Sequence, residues 1–78
     1  MRELQIQLRS VQDVLEFVAL ATARPFPVQV SARDHHVNAK SFMEMFCLNL
    51  REPVLVHCQC GDDEYAQLCR DAERFLLG

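Results

Sequence analysis

The 78-residue chain is half hydrophobic and 24% charged, with a formal net charge of −3. This composition is typical of a globular domain, and the scattered lysines and arginines argue against a nucleic-acid or anionic-membrane partner. No apolar run approaches the ~18–20 residues of a membrane span, and residues 1–10 lack the apolar core of a signal peptide. We therefore expect a single domain over residues 1–78, located in the cytoplasm.

A strand and a helix are predicted in the first third of the chain. Apolar and polar residues alternate over residues 3–8, which is the period of a strand with one wet face. Ser10 then precedes apolar residues at helical spacing, with Asp13 three positions later as in a capping box. We expect this helix to end before Pro25, because the residue ahead of a proline resists the α region.

A hairpin and a short helix are predicted next. Residues 28–30 alternate as a strand, residues 33–34 form the turn, and residues 36–39 return. No glycine marks this turn, so the register of the two strands stays open. A second capping box spans residues 41–44 and opens a short helix that runs to about Cys47.

A last strand over residues 54–60 and a final helix complete the predicted fold. Acidic residues at 62–64 suit the positive end of the helix dipole. The helix should bury one stripe, formed by Tyr65, Leu68, Cys69, Ala72, Phe75 and Leu76. The order β-α-β-β-α-β-α predicts an α+β fold in which three helices cover one face of a four-stranded antiparallel sheet.

The four cysteines, Cys47, Cys58, Cys60 and Cys69, are expected to be free thiols, since no export signal is visible. His57 beside Cys58 invites a zinc hypothesis. Neighbouring residues of a strand point to opposite faces, however, and no Cys-x₂-Cys pair exists. We expect no metal and no cofactor, and interpret Cys58, Cys60 and Cys69 as small buried residues that pack together.

The element order, the length and residues 37–48 resemble HPr, the histidine-containing phosphocarrier of the bacterial sugar phosphotransferase system. The most specific part is Ala-Lys-Ser followed by a short apolar helix and the pair Leu48 and Leu50. Residues 17–18 and 61–62 also fit the family. The resemblance covers essentially the whole chain and implies the HPr-like open-faced β-sandwich.

The chain departs from this family at its working site. HPr carries a reactive histidine at the start of the first helix, inside a Gly-Leu-His-x-Arg-Pro-like motif. The matching residues 8–14 lack the glycine, the histidine, the second arginine and the proline, and Ser10 stands at the histidine position. A serine hydroxyl needs a base to become nucleophilic, and its phosphate ester is too stable for a shuttle. Asp13 would also repel a phosphate at the helix N-terminus.

The other histidines are weak substitutes for that missing imidazole. His35 and His36 follow the hairpin turn, far in topology from the first helix, and His57 is expected on the solvent side of its strand. We therefore predict a non-catalytic protein that does not relay phosphate, with no catalytic residue. A phosphocarrier that uses a non-standard acceptor residue remains the alternative.

Ser41 matches the position at which HPr proteins of many Gram-positive bacteria are phosphorylated by a regulatory kinase. The simpler interpretation is a helix cap worth about 1 kcal/mol. Both roles are compatible in one hydroxyl, because a phosphate at a helix N-terminus is favourably placed. Ser41 is thus a candidate site of regulatory phosphorylation.

Phe42, Met43 and Phe46 form the candidate protein-binding surface. In a helix of about 100° per residue they lie away from the core side, and exposed Phe and Met side by side mark partner surfaces. In the resembling family this helix and the first one dock partner proteins. The alternative is that the loop near Phe26 or a second copy of the chain, in a homodimer, covers them.

These inferences predict an HPr-like protein associated with bacterial sugar transport, acting in carbon catabolite regulation by binding proteins of the phosphotransferase or catabolite-regulation type. An HPr-fold module recruited to unrelated protein binding is the remaining possibility.

Overall fold

The computed structural model describes residues 2–49 and 51–77. The strands are β1 (Arg2–Ile6), β2 (Val28–Ala32), β3 (His35–Asn38) and β4 (Val54–Cys58). The helices are α1 (Val11–Thr22), α2 (Phe42–Met45) and α3 (Asp62–Asp71), and a 3₁₀ turn at Glu73–Phe75 follows α3. The predicted order of strands and helices is confirmed.

The four strands form one antiparallel sheet in the order β1-β4-β2-β3. Val56 of the central strand β4 is paired with Leu4 on one side and with Val30 on the other. Alternate residues of β1, β2 and β4 are buried beneath the helices, and the others lie on the open face, which confirms the prediction of a sheet covered on one side. The core comprises 19 hydrophobic residues, and no polar or charged side chain of the described residues is buried.

Helix α1 begins where the capping signal places it and ends at Thr22, with Ala23 as its C-cap, before Pro25 as predicted. Its core face is made by residues one helical turn apart, Val14, Phe17, Val18 and Ala21. No helix in the described ranges is both long enough and apolar enough to span a membrane.

The hairpin between β2 and β3 turns at Arg33 and Asp34, as predicted, without a glycine. Arg33 adopts a φ of 55°, in the left-handed region that favours glycine. Its guanidinium is held by the carboxylate of Glu52, to which its Nε donates a hydrogen bond at 2.9 Å. A tertiary contact thus accompanies the strained backbone of this turn.

The prediction of one continuous final helix through Leu76 is wrong. The backbone leaves the helix at Ala72, with φ −101° and ψ 13°, and the chain then turns back towards β1. Gln7 N–H donates to the carbonyl of Phe75 at 2.9 Å, and Leu77 N–H donates to the carbonyl of Gln5 at 3.1 Å. Between them, Leu76 forms an isolated antiparallel β-bridge with Ile6. We call residues 75–77 the closing segment, since it lies along the outer edge of β1. Leu68, Ala72 and Phe75 are buried as predicted, and Tyr65, Cys69 and Leu76 are partly buried.

Candidate functional site

Ser10 is the N-cap of α1, and its hydroxyl is engaged with the backbone. Its Oγ accepts the N–H of Asp13 at 3.2 Å. The Asp13 carboxylate accepts from the N–H of Arg9 at 3.0 Å, so the reciprocal half of the capping box reaches one residue further back than predicted. The hydrogen bonds of Ser10 in the structure are those of a capping residue.

Acidic side chains lie near the start of α1, and they are paired with the nearby Arg74. Arg74 lies with its Nη2 3.5 Å from the Asp13 carboxylate and also pairs with Glu16. The guanidinium stacks on its neighbour Phe75, 4.5 Å from the ring centre. An anion approaching the α1 N-terminus would therefore meet Asp13 and Glu16 as well as the helix dipole.

None of the three histidines is positioned at the head of α1. His35 and His36 lie exposed on β3, at the edge of the sheet. His57 lies on the open face of β4, which confirms the predicted side, although its side chain is only 17% exposed because neighbouring side chains flank it.

Ser41 is the N-cap of α2, and its Oγ accepts the N–H of Glu44 at 3.4 Å. The Glu44 carboxylate accepts instead from the N–H of Asn38 at 3.2 Å, so here too the capping box is displaced. Lys40 donates through Nζ to the carbonyl of Arg24 at 2.8 Å. That bond ties the start of α2 to the end of α1.

The three residues of the predicted binding surface are exposed, Phe42 by 44%, Met43 by 81% and Phe46 by 45%. Met45 and Leu48, in the same segment, are buried. Phe26, named as a possible cover for the surface, is itself a core residue. The second leucine of the Leu48–Leu50 pair lies outside the described residues.

Two apolar residues of α1 are exposed as well, although the sequence argument grouped them with the regularly spaced apolar residues of that helix. Val11 is 59% and Leu15 is 38% exposed, although both are apolar. With about 100° per residue, they lie on the flank of α1 opposite the one that carries Asp13 and Glu16 and faces Arg74. Helix α2 is in contact with α1, and we call Val11, Leu15, Phe42, Met43 and Phe46 the α1–α2 patch. The signal available in the sequence was the i, i+4 spacing of two apolar residues outside the core stripe.

The cysteines are all free thiols. Cys47 is exposed, Cys58 is buried, and Cys60 and Cys69 are partly buried against the core. Burial, together with the neighbouring thiols of Cys60 and Cys69, raises the pKa of Cys58 to about 12. Burial and the charge of nearby Glu64 also raise the pKa of Cys60. The thiols of Cys58 and Cys60 therefore stay protonated at neutral pH. No group of three His, Cys, Asp or Glu side chains in the described ranges is arranged to hold a metal ion.

No protein-family model and no curated protein matches this sequence. Among solved structures, the crystal structure of HPr-C-His from Thermoanaerobacter tengcongensis superposes with a TM-score of 0.75. The two chains are 22% identical, and the match covers 92% of this chain and 90% of that chain. At this level of identity the likeness establishes the fold, and the chain has the fold of HPr.

Proposed function

We propose that this chain is an HPr-like protein associated with the sugar phosphotransferase system, which binds protein partners in carbon-source regulation without relaying phosphate. It takes part in bacterial catabolite control as a binding component, with the α1–α2 patch as its docking surface. The observation that carries the proposal is the exposure of this patch on a domain with the fold of HPr.

The α1–α2 patch has the chemistry of a docking surface. It holds five of the six large hydrophobic side chains found exposed in the described ranges. The sixth, Leu77, belongs to the closing segment. Aromatic and methionine side chains supply large, adaptable contact areas and are enriched at the centres of protein interfaces.

The absence of relay in this proposal rests on the head of α1. Ser10, which we take to stand at the carrier-histidine position, uses its hydroxyl to cap the helix. Asp13 and Glu16 occupy the nearby Arg74, so a phosphoryl group there gains little from that cation.

Regulation is proposed at Ser41, a partly exposed residue whose hydroxyl forms a long capping bond of 3.4 Å. It lies next to Phe42 and one turn from Met45. A phosphate on Ser41 would add a charge of about −1.5 to −2 at the edge of the patch. Partners would therefore distinguish the modified from the unmodified protein through electrostatics.

The non-relay assignment is tested by incubating the pure protein with phosphoenolpyruvate and the phosphoryl donor enzyme of the system. The expected result is no acid-labile adduct of roughly 80 Da, the mass of one phosphoryl group, in the intact-mass spectrum. An acid-labile adduct on any histidine would contradict the assignment. Treatment with the family's serine kinase should modify Ser41 and leave the Ser41→Ala variant unchanged, whereas an inert wild type would remove this regulatory branch.

Docking is tested by titration calorimetry with the same donor enzyme. We expect Phe46→Ala and Met43→Ala each to weaken binding by about tenfold, the usual effect of truncating a central interface residue. Leu77→Ala is the matched control, because Leu77 is a similarly exposed apolar side chain outside the patch. Equal affinities for all four proteins would refute docking through the α1–α2 patch.

A further inference from the structure

Three polar side chains form a continuous hydrogen-bonded chain on the open face of the sheet. Glu3 of β1, His57 of β4 and Ser31 of β2 come from three adjacent strands. The Glu3 carboxylate lies 2.9 Å from Nδ1 of His57, and Nε2 of the same ring lies 2.9 Å from the Oγ of Ser31. A carboxylate, an imidazole and a serine hydroxyl thus follow one another within hydrogen-bond distance, the order found in serine hydrolases.

The Glu3 carboxylate determines which nitrogen of the His57 ring carries the proton. An ionised Glu3 only accepts hydrogen bonds, so Nδ1 of His57 must carry the proton that it donates. In the neutral ring Nε2 is then an acceptor, and the Ser31 hydroxyl must donate to it. This tautomer places a base on the proton of Ser31 and leaves the oxygen lone pairs free to attack.

The other two serines of the chain lack such a base. The hydroxyls of Ser10 and Ser41 accept backbone N–H groups at the starts of α1 and α2. Ser31 is the one whose hydroxyl meets an imidazole nitrogen, and it is partly exposed. Because α1, α2 and α3 cover the opposite face of the sheet, they leave this side open to a reactant.

The surroundings of Ser31 suit a neutral carbonyl compound. Leu55 and His36 are its directly paired neighbours on the two adjacent strands, and Gln29 precedes it by two residues on the same face. Leu55 offers a part-buried apolar surface for an acyl group. His36 and Gln29 carry N–H groups at cross-strand and same-face neighbour positions of Ser31. N–H groups are the kind of donor that stabilises a carbonyl oxygen as it becomes negative.

We propose that Ser31 is a nucleophile that accepts acyl groups from small neutral activated esters, with His57 as its general base and Glu3 as the positioning residue. The Ser31 oxygen bonds to the ester carbon while its proton passes to Nε2 of His57. The bond from that carbon to the leaving oxygen breaks, and His57 returns the proton to the departing alcohol. Water then releases the acid by the same route. This activity lies beyond the proposed binding function and does not depend on it.

The test uses 4-nitrophenyl acetate on the intact protein, with the acetylated serine mapped by mass spectrometry. We expect Ser31 to be acetylated about 100-fold faster than Ser10 or Ser41, the lower end of general-base effects, because the face is open and lacks backbone donors. Acetylation of Ser31 no faster than of the two capping serines would overturn the proposal.

Variants separate the roles of the three residues. His57→Gln should reduce acetylation of Ser31 to the rate of Ser10, while His35→Gln, an exposed histidine outside the chain of hydrogen bonds, should leave it unchanged. Exposed groups such as Cys47 and His35 give a background of nitrophenol release, and Ser31→Ala should fall to that background. A rate in Ser31→Ala equal to that of the wild type would overturn the proposal.

Glu3→Gln distinguishes positioning from a structural role. We expect about a tenfold or greater loss of Ser31 acetylation, and ¹⁵N spectra of His57 should show the ring proton moving from Nδ1 towards Nε2. Circular dichroism checks the fold of each variant. If His57→Gln does not fold, this tautomer shift decides, and a tautomer that does not respond to Glu3→Gln counts against the proposal.

Discussion

Phe75→Ala is predicted to be among the most destabilising single changes in this domain. Phe75 is 2% exposed, and its ring meets that of the fully buried Phe17 edge-on, with the centres 6.2 Å apart and an interplanar angle of 86°. Removing a buried phenyl ring costs about 3–5 kcal/mol, of which the aromatic pair contributes about 0.5–1.5. A chain of 78 residues has a total stability of about 4–12 kcal/mol, so the variant should lose at least a quarter of it.

The assay is urea unfolding followed by circular dichroism, with linear extrapolation to water. Phe42→Ala is the matched control, since it makes the same chemical change at a side chain that is 44% exposed, and it should cost less than about 1 kcal/mol. Phe75→Leu keeps most of the apolar volume and should fall between the two. If Phe75→Ala and Phe42→Ala lowered the free energy of unfolding equally, the closing segment would not be packed as described.

Two further predictions concern helix capping and the buried thiol. Ser10→Ala should lower the free energy of unfolding by about 1 kcal/mol in the same urea assay, because α1 loses its N-cap. Ser10→Asp should keep most of the wild-type stability, since aspartate also caps helices. An unchanged free energy of unfolding in Ser10→Ala would refute the capping role. Cys58 keeps its proton in the folded state up to a pKa of about 12, whereas the unfolded thiol ionises near 9.0. The unfolded state therefore binds fewer protons above pH 9, and stability should fall by up to about 1.4 kcal/mol per pH unit as the pH rises towards 12. Native alkylation by iodoacetamide should correspondingly reach the exposed Cys47 and spare Cys58, and equal labelling of the two would contradict the burial of Cys58.

The elements of the fold were predictable because each has a local signal. Alternation located the strands, and the capping residues Ser10 and Ser41 located the starts of α1 and α2. The end of α3 was not predictable, because Leu68, Ala72 and Phe75 keep a helical spacing across the break. Pairing of the closing segment with β1 competes with helix continuation there, and sequence periodicity does not register that contact.

The surface features also differ in how far the sequence alone predicts them. The exposure of Phe42, Met43 and Phe46 follows from a helical projection of four or five consecutive residues, so the sequence was enough. The contacts of His57 with Ser31 and with Glu3 require the strand order β1-β4-β2 and the register of both pairings. Neither is encoded in any local pattern, and the three residues are separated by 26 or more positions.

The two edge strands of the sheet, β1 and β3, differ in whether a further strand can pair with them. This difference limits how many copies of the chain could associate through the sheet. The closing segment occupies the outer border at β1, while β3 has β2 as its only strand partner among the described residues. A copy of the chain that joined at β3 by strand pairing would present its own blocked border on the far side. A pair formed in this way has no uncovered edge strand to which a third copy could add, so strand pairing at β3 would give dimers and not fibrils.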